Sequence, residues 1–278
     1  MRRYLFIIAA LLQAGFAWSQ NQNATQDVCQ GATENYYVDN TPGSSYSWSI
    51  VPASGGTILS GNGTNSISIQ WTNTPGNSYT VEVIETDANN CVGPARNVSV
   101  TVREYPNPVI VGPSTACTNT QGNYSITGSL TSTYEWSVTP QGTVSSGGNT
   151  NTANIDWNVA GAATVSVTEN NGFCQTTATY AVTVNPSPAP SISGPSVTCL
   201  NSTDVFEVTN NAGSTYVWSV SAGATIFAGQ GTNQVSVTFK QINAQSVSIQ
   251  ETANGCTGSD TKNVTVNPLP NTSAIWHN

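Results

Sequence analysis

The residues whose types and spacing could do chemistry are six cysteines and three glutamates. The cysteines are Cys29, Cys91, Cys117, Cys174, Cys199 and Cys256, and Glu85, Glu169 and Glu251 keep step with them. Paired cysteines at a fixed period suit disulfides in an oxidising compartment. Six thiols allow about 15 pairings. The repeat selects one of them: Cys29–Cys91, Cys117–Cys174 and Cys199–Cys256. Each would close a loop of about 60 residues, worth about 3–4 kcal/mol by chain entropy. The alternative is free buried thiols. Metal binding is disfavoured, because no Cys-x-x-Cys exists and His277 is the sole histidine.

The period itself is domain-sized. Cys29, Tyr46, Trp48, Trp71, Glu85 and Cys91 are followed by Cys117, Tyr134, Trp136, Trp157, Glu169 and Cys174. Cys199, Tyr216, Trp218, Phe239, Glu251 and Cys256 then complete a third copy. The first cysteine stands 19 residues before the Tyr-x-Trp tryptophan each time, and the copies are offset by 88 and 82 residues. That is far longer than a solenoid repeat, so the chain is a tandem array of small domains. Such arrays bind, space or display more often than they catalyse.

Catalytic constellations are missing. A Ser-His-Asp set needs a histidine held in a packed site, and His277 is the penultimate residue. Glycoside hydrolysis needs two acids facing across a cleft. Glu85, Glu169 and Glu251 recur at one repeat position, which argues for a structural carboxylate that accepts backbone N–H bonds or faces solvent. Asp87 and Asp156 lack the Asp-x-Asp-x-Asp spacing of a calcium loop. Trp48, Trp136 and Trp218 could stack on sugars, but their fixed place in every repeat favours core packing. No cofactor, metal or catalytic residue is expected.

The elements that position these residues read as β. Ser66 to Trp71, Tyr79 to Ile84 and Asn97 to Val102 alternate polar and apolar residues, as do Gln234 to Phe239 and Asn263 to Val266. Such period-two runs are half-buried antiparallel strands. Turn clusters separate them: Gly61-Asn62-Gly63-Thr64-Asn65, Gly147-Gly148-Asn149-Thr150-Asn151 and Gly229-Gln230-Gly231-Thr232-Asn233. About seven strands in 80 residues make an immunoglobulin-like β-sandwich. The expected domains are residues 27–103, 105–184 and 186–266. Proline-rich spacers at Tyr105-Pro106-Asn107-Pro108 and Asn185-Pro186-Ser187-Pro188 join them into a rod. The first cysteine should lie on or beside the opening strand.

The N-terminus reads as a signal peptide over residues 1–19. Met1-Arg2-Arg3 is basic, Tyr4 to Leu12 is apolar, and Ala17-Trp18-Ser19 permits cleavage before Gln20. The apolar run is too short to span a bilayer comfortably. Without Arg2 and Arg3 the chain carries four basic residues against 14 acidic ones, a net charge near −10. Nucleic acid and anionic membrane surfaces are therefore not expected as partners, nor is direct membrane insertion. Only 7% of residues are charged, against about a quarter in ordinary domains.

The series Cys…Tyr-x-Trp-Ser…Gly-x-Gly-Thr-Asn…Trp…Val-x-Glu…Gly-x-Cys…Val-Thr-Val-Asn-Pro resembles the PKD-like, immunoglobulin-like repeats of exported Bacteroidota proteins. The resemblance covers nearly all of the chain after residue 19. Repeat two departs at the turn, with Gly148-Asn149-Thr150-Asn151, and Phe239 replaces the second tryptophan in repeat three. Relatives of this kind are tied to gliding motility and the type 9 secretion system. The resemblance thus implies a non-catalytic binding or assembly protein at the periplasm-facing outer membrane or cell surface. The alternative is a surface adhesin whose loops bind glycans or other cells.

One segment falls outside the repeats. Asn267 to Asn278 copies the spacer that opens repeat three, yet the body of a fourth repeat does not follow. Its apolar residues Leu269, Ile275 and Trp276 are the expected partner-binding residues, docking by strand addition or hot-spot insertion on an outer-membrane or cell-surface protein.

Overall fold

Alternation along the strands fixes which side chains meet. In Ser66–Trp71 the inward set is Ile67, Ile69 and Trp71; in Ser78–Thr86 it is Tyr79, Val81 and Val83. Burying each such side chain contributes about 1.5–3 kcal/mol, and a one-residue slip would turn the whole set outward. The computed structural model describes residues 25–128 and 131–277. The expected signal peptide, residues 1–19, and its cleavage point before Gln20 lie outside the described residues, as does Asn278 of the tail.

The chain divides into two units, one ending at Tyr105 and the other beginning at Pro106. The first holds one sandwich of seven strands: β1 Gln26–Cys29, β2 Thr33–Tyr37, β3 Ser45–Val51, β4 Gly56–Ser60, β5 Ser66–Trp71, β6 Ser78–Thr86 and β7 Arg96–Arg103. Its sheets run β1-β7-β6-β3 and β2-β5-β4. β1 is parallel to β7, and the other pairs are antiparallel.

The second unit holds two more sandwiches. Repeat two has β8 Ile110–Val111, β9 Thr115–Cys117, β10 Thr120–Ile126, β11 Thr133–Val138, β12 Gly142–Ser146, β13 Thr152–Trp157, β14 Gly161–Asn170 and β15 Gln175–Asn185. Repeat three has β16 Val197–Cys199, β17 Thr203–Glu207, β18 Thr215–Val220, β19 Ala224–Ala228, β20 Gln234–Phe239, β21 Asn243–Ala253 and β22 Cys256–Asn267. Their sheets are β12-β13-β10-β8 with β11-β14-β15-β9, and β16-β22-β21-β18 with β17-β20-β19. The described residues are all-β apart from one short 3-10 turn at Ala53–Gly55. As the spacing implies, each first cysteine ends a short strand that runs parallel to the last strand of its own repeat.

Each core has two aromatic anchors, and they are held differently. The indole N–H groups of Trp48, Trp136 and Trp218 donate to the carbonyls of Thr64, Thr150 and Thr232 at 2.8 Å. The same threonines bond the carbonyl of the glycine three residues earlier through their hydroxyls. Those glycines, Gly61, Gly147 and Gly229, have φ of +84°, +77° and +91°, and a Cβ there would strike the facing strand. The turn motif is therefore Gly-x-x-Thr-Asn. Repeat two keeps its glycine as Gly147 and departs only at the third position, where Asn149 stands.

Trp71 and Trp157 make no such bond. Their buried indole N–H groups have no acceptor among the described residues. Each meets a tyrosine ring edge-on at 6.1 Å, Tyr36 and Tyr124 respectively. In repeat three both positions are phenylalanine, and Phe206 meets Phe239 at the same 6.1 Å. The substitution removes the indole N–H and the facing phenol O–H together, so Phe206 and Phe239 keep the packing and strand no polar group.

Candidate functional site

The cysteine pairing differs from the sequence expectation. Cys117 bonds Cys256, 139 residues away, with its Cα 5.6 Å from that of its partner. Cys29 and Cys174 are also disulfide-bonded. Cys91 and Cys199 are free and exposed. The pairings Cys29–Cys91, Cys117–Cys174 and Cys199–Cys256 are all overturned, and so is the use of Cys91 and Cys199 in disulfides.

The physical reason lies in one strand. Cys117 sits in register with Asn185, the last residue of β15, whereas Cys174 immediately precedes the first, Gln175. Eleven residues of strand separate the two levels by about 33 Å. A disulfide requires Cα atoms within about 7 Å. Repeat three repeats the geometry, with Cys199 in register with Asn267 and Cys256 at the opposite end of the 12-residue β22. The two cysteines of a repeat thus lie at opposite poles. Cys117, at the exit pole of repeat two, meets the hairpin at the entry pole of repeat three.

That meeting is a built joint. Asn185 Nδ2 donates to the Asn254 carbonyl at 3.0 Å. In the spacer, the Ser187 amide donates to Thr118 Oγ1 at 2.9 Å, and the Ser187 hydroxyl donates to the Thr118 carbonyl at 2.7 Å. The Ile192 amide donates to Asp260 Oδ2 at 2.7 Å, seating the entering chain on the same hairpin. A Cβ on Gly258 would collide with the Pro188 carbonyl, so glycine there lets the spacer lie close. Cys256 is 1% exposed as a result.

The recurrent glutamates serve the sandwiches. Each faces the tyrosine of Tyr-x-Trp across a strand pair: Tyr46 with Glu85, Tyr134 with Glu169, Tyr216 with Glu251. Glu251 is buried and accepts from Asn211 Nδ2 at 2.9 Å and the Ser214 hydroxyl at 2.7 Å. The carboxylate thus holds side chains of a neighbouring loop, where the sequence suggested backbone N–H groups or solvent. In repeat one the hydroxyls of Ser44 and then Thr41 hold the Glu85 carboxyl below the usual range. Asp87 is lowered too, by the Cys91 and Asn89 amides, which donate to its Oδ1 at 2.8 Å. It therefore shapes the hairpin that carries Cys91.

The tail residues remain outside every sheet. Leu269 is 55% exposed, Ile275 98% and Trp276 87%. The spacer isoleucines that open repeats two and three, Ile110 and Ile192, are buried instead. A shallow groove of about 300 Å³ on repeat two is lined by Thr133, Tyr134, Glu135, Asn149, Thr168, Asn170 and Gln175, with no facing carboxylate pair or imidazole. Among the described residues, no group of three or more His, Cys, Asp and Glu is placed to hold a metal ion, and no helix is long and apolar enough to cross a membrane. Sequence reasoning missed Phe227, which is 75% exposed at a strand irregularity between Ile226 and Ala228. It also missed the aromatic partners Tyr36, Tyr124 and Phe206. Their signal was present, since each stands seven residues after the first cysteine of its repeat.

These observations define a class: three immunoglobulin-like β-sandwiches in tandem. The chain belongs to the PKD-like domain family, which matches residues 17–102, 104–184 and 185–266. No curated protein matches the chain. Among solved structures it is similar to a three-domain immunoglobulin segment of titin in a Glu-to-Ala variant, at 12% identity and TM-score 0.38, covering 88% of this chain and 96% of that one. It is also similar to the Bacteroides ovatus protein SGBP-B in complex with a mixed-linkage heptasaccharide, at 14% identity and TM-score 0.23, covering 90% and 67%. A third is the human desmocollin-1 ectodomain, at 12% identity and TM-score 0.23, covering 92% and 59%.

Proposed function

We propose that the protein is a non-catalytic exported binding or assembly component at the outer membrane or cell surface, associated with gliding motility and type 9 secretion. Disulfides in a PKD-like array suit an oxidising, extracytoplasmic setting. The observation that carries the reading is the exposure of Ile275 and Trp276, two large apolar side chains that lie outside every strand of the described residues. An exposed apolar segment of this kind is a ready ligand for another protein's sheet edge or pocket. Trp276 is the expected anchor, because a buried tryptophan often dominates an interface, at about 2 kcal/mol or more on truncation.

The test is a pull-down from native membranes with the chain and with a version lacking Leu269 to Asn278. Loss of an outer-membrane partner on truncation supports docking. Retention of the same partner ends the docking reading.

A second reading, an adhesin whose sandwich loops bind glycans or other cells, is favoured by Phe227. An exposed aromatic on a bulged strand suits stacking on a sugar face. Under that reading Phe227→Ala abolishes glycan or cell binding while tail truncation leaves it intact.

A further inference from the structure

The two free thiols are the two unmatched halves of one joint. The joint between repeats two and three has an exit half, built from Cys117, Thr118 and Asn185, and an entry half, built from Asn254, Cys256 and Gly258. The exit half is present again at the end of repeat three. Cys199 lies in parallel register with Asn267 as Cys117 does with Asn185. The Leu200 amide donates to the Asn267 carbonyl at 2.9 Å, as the Thr118 amide donates to the Asn185 carbonyl at 2.9 Å.

The entry half is present again on repeat one. Cys91 follows Asn90, at φ +66°, and Cys256 follows the turn Asn254-Gly255, at φ +50° and +79°. Gly93, two residues beyond Cys91, pairs with Glu85 through a 2.8 Å backbone bond. Gly258, two residues beyond Cys256, stands opposite Glu251 in the same way. Where Gly258 has the Pro188 carbonyl against it, Gly93 meets only the carbonyl of Glu85. Thr176 holds this place in repeat two, so glycine is not required of every hairpin.

Exposure separates the used halves from the unused ones. Cys256 is fully buried by its joint and Cys91 is exposed. Cys117 is half-buried and Cys199 exposed. Beside the free thiols sit apolar side chains that the closed joint does not have. Val92, next to Cys91, is 71% exposed, and Leu269 is 55% exposed where the closed joint has Ser187.

We propose that Cys199 of one copy bonds Cys91 of a second copy, linking chains head to tail through a joint of the kind that ties repeat two to repeat three. Both halves stand on one chain, so a second copy supplies what each lacks. The contact joins two different surfaces, so it does not close on itself and each added copy leaves one exit half and one entry half free. The covalent step is thiol–disulfide exchange with a low-molecular-weight disulfide as oxidant. The Cys199 thiolate attacks that disulfide, forms a mixed disulfide and expels one thiolate. The Cys91 thiolate of the second copy attacks the Cys199 sulfur and expels the other. Two protein thiols are oxidised, one small disulfide is reduced to two thiols, and the two protons released end on them.

The experiment uses the full chain with its existing disulfides intact, incubated with a small oxidised disulfide and read by non-reducing electrophoresis and peptide mass mapping. The expected result is a ladder of multimers that collapses on reduction and carries Cys91–Cys199 peptides. Cys91→Ser and Cys199→Ser each stay monomeric alone. Mixed together they give one dimer band and nothing larger, because each supplies a single half. Both sites are exposed, so the melting of either variant matches that of the parent, which excludes misfolding as the cause. Dimers from either variant alone would show indiscriminate thiol oxidation and overturn the proposal. So would a monomer that has lost both thiols, or a parent chain that never cross-links.

Discussion

The interior of each sandwich and the joint between sandwiches use recurrent residues in opposite ways. Inside a sandwich a repeat is closed on itself. Trp48 caps the turn of its own repeat through Thr64, Trp136 does so through Thr150 and Trp218 through Thr232. At the joint the closure is shifted by one repeat, and Cys117 reaches Cys256 rather than Cys174. The difference follows from length. A tryptophan and its turn lie only 14 or 16 residues apart in one repeat, so local geometry brings the two sheets together there. The two cysteines of a repeat lie at the two ends of one long strand, so only a neighbour can reach either.

The largest expected effect breaks the interior half of this comparison. Trp218→Ala removes a buried indole and its bond to the Thr232 carbonyl, and should cost repeat three about 3–5 kcal/mol. Calorimetry should show repeat three melting early, with repeat one unchanged. Full thermal stability in this variant would mean that the tryptophan is not a core anchor.

The next effect breaks the joint. Cys117→Ala opens the Cys117–Cys256 link and should lower the stability of the second unit by about 2–5 kcal/mol. Cys199→Ala, at the same repeat position, should change melting by less than about 0.5 kcal/mol, since Cys199 is unbonded and exposed. Equal effects from the two would erase the distinction between used and unused halves.

A smaller loss is expected from Glu251→Ala, which strands the Asn211 and Ser214 donors. Chemical denaturation should report about 1–3 kcal/mol for repeat three.

The smallest effect is one of pH, confined to repeat one. Glu85 and Asp87 have carboxyls held below their ordinary range. Their contribution is therefore present above the unfolded pKa, about 4, and is lost as pH falls through the lowered folded values. Repeat one should melt earlier in acid, and Glu85→Gln should flatten that dependence. A pH-independent melting temperature in the parent chain would contradict it.

Much of the fold was legible because it recurs. Alternation in Ser66 to Trp71 and its counterparts, with the Gly-x-x-Thr-Asn turns, fixes strands and turns from local chemistry alone. The recurrence misled at Cys29, Cys91, Cys117, Cys174, Cys199 and Cys256, because periodic spacing says which positions are equivalent and not which copy they meet. The length of the last strand held the answer. Asn185 ends a strand that begins beside Cys174, and a residue at each end of it is out of disulfide reach. Tyr36, Tyr124 and Phe206 were legible in spacing, but the change from tyrosine to phenylalanine in repeat three hides the recurrence. The exposed Phe227 left no periodic signal, since a strand irregularity displaces it from the alternation that marks inward residues.

The central claim is that cysteine pairing is shifted by one repeat. Proteolysis of the non-reduced chain, with iodoacetamide blocking free thiols first, tests it most directly. The account predicts a Cys117–Cys256 linked peptide and alkylated Cys91 and Cys199. A Cys117–Cys174 or Cys199–Cys256 peptide would contradict it.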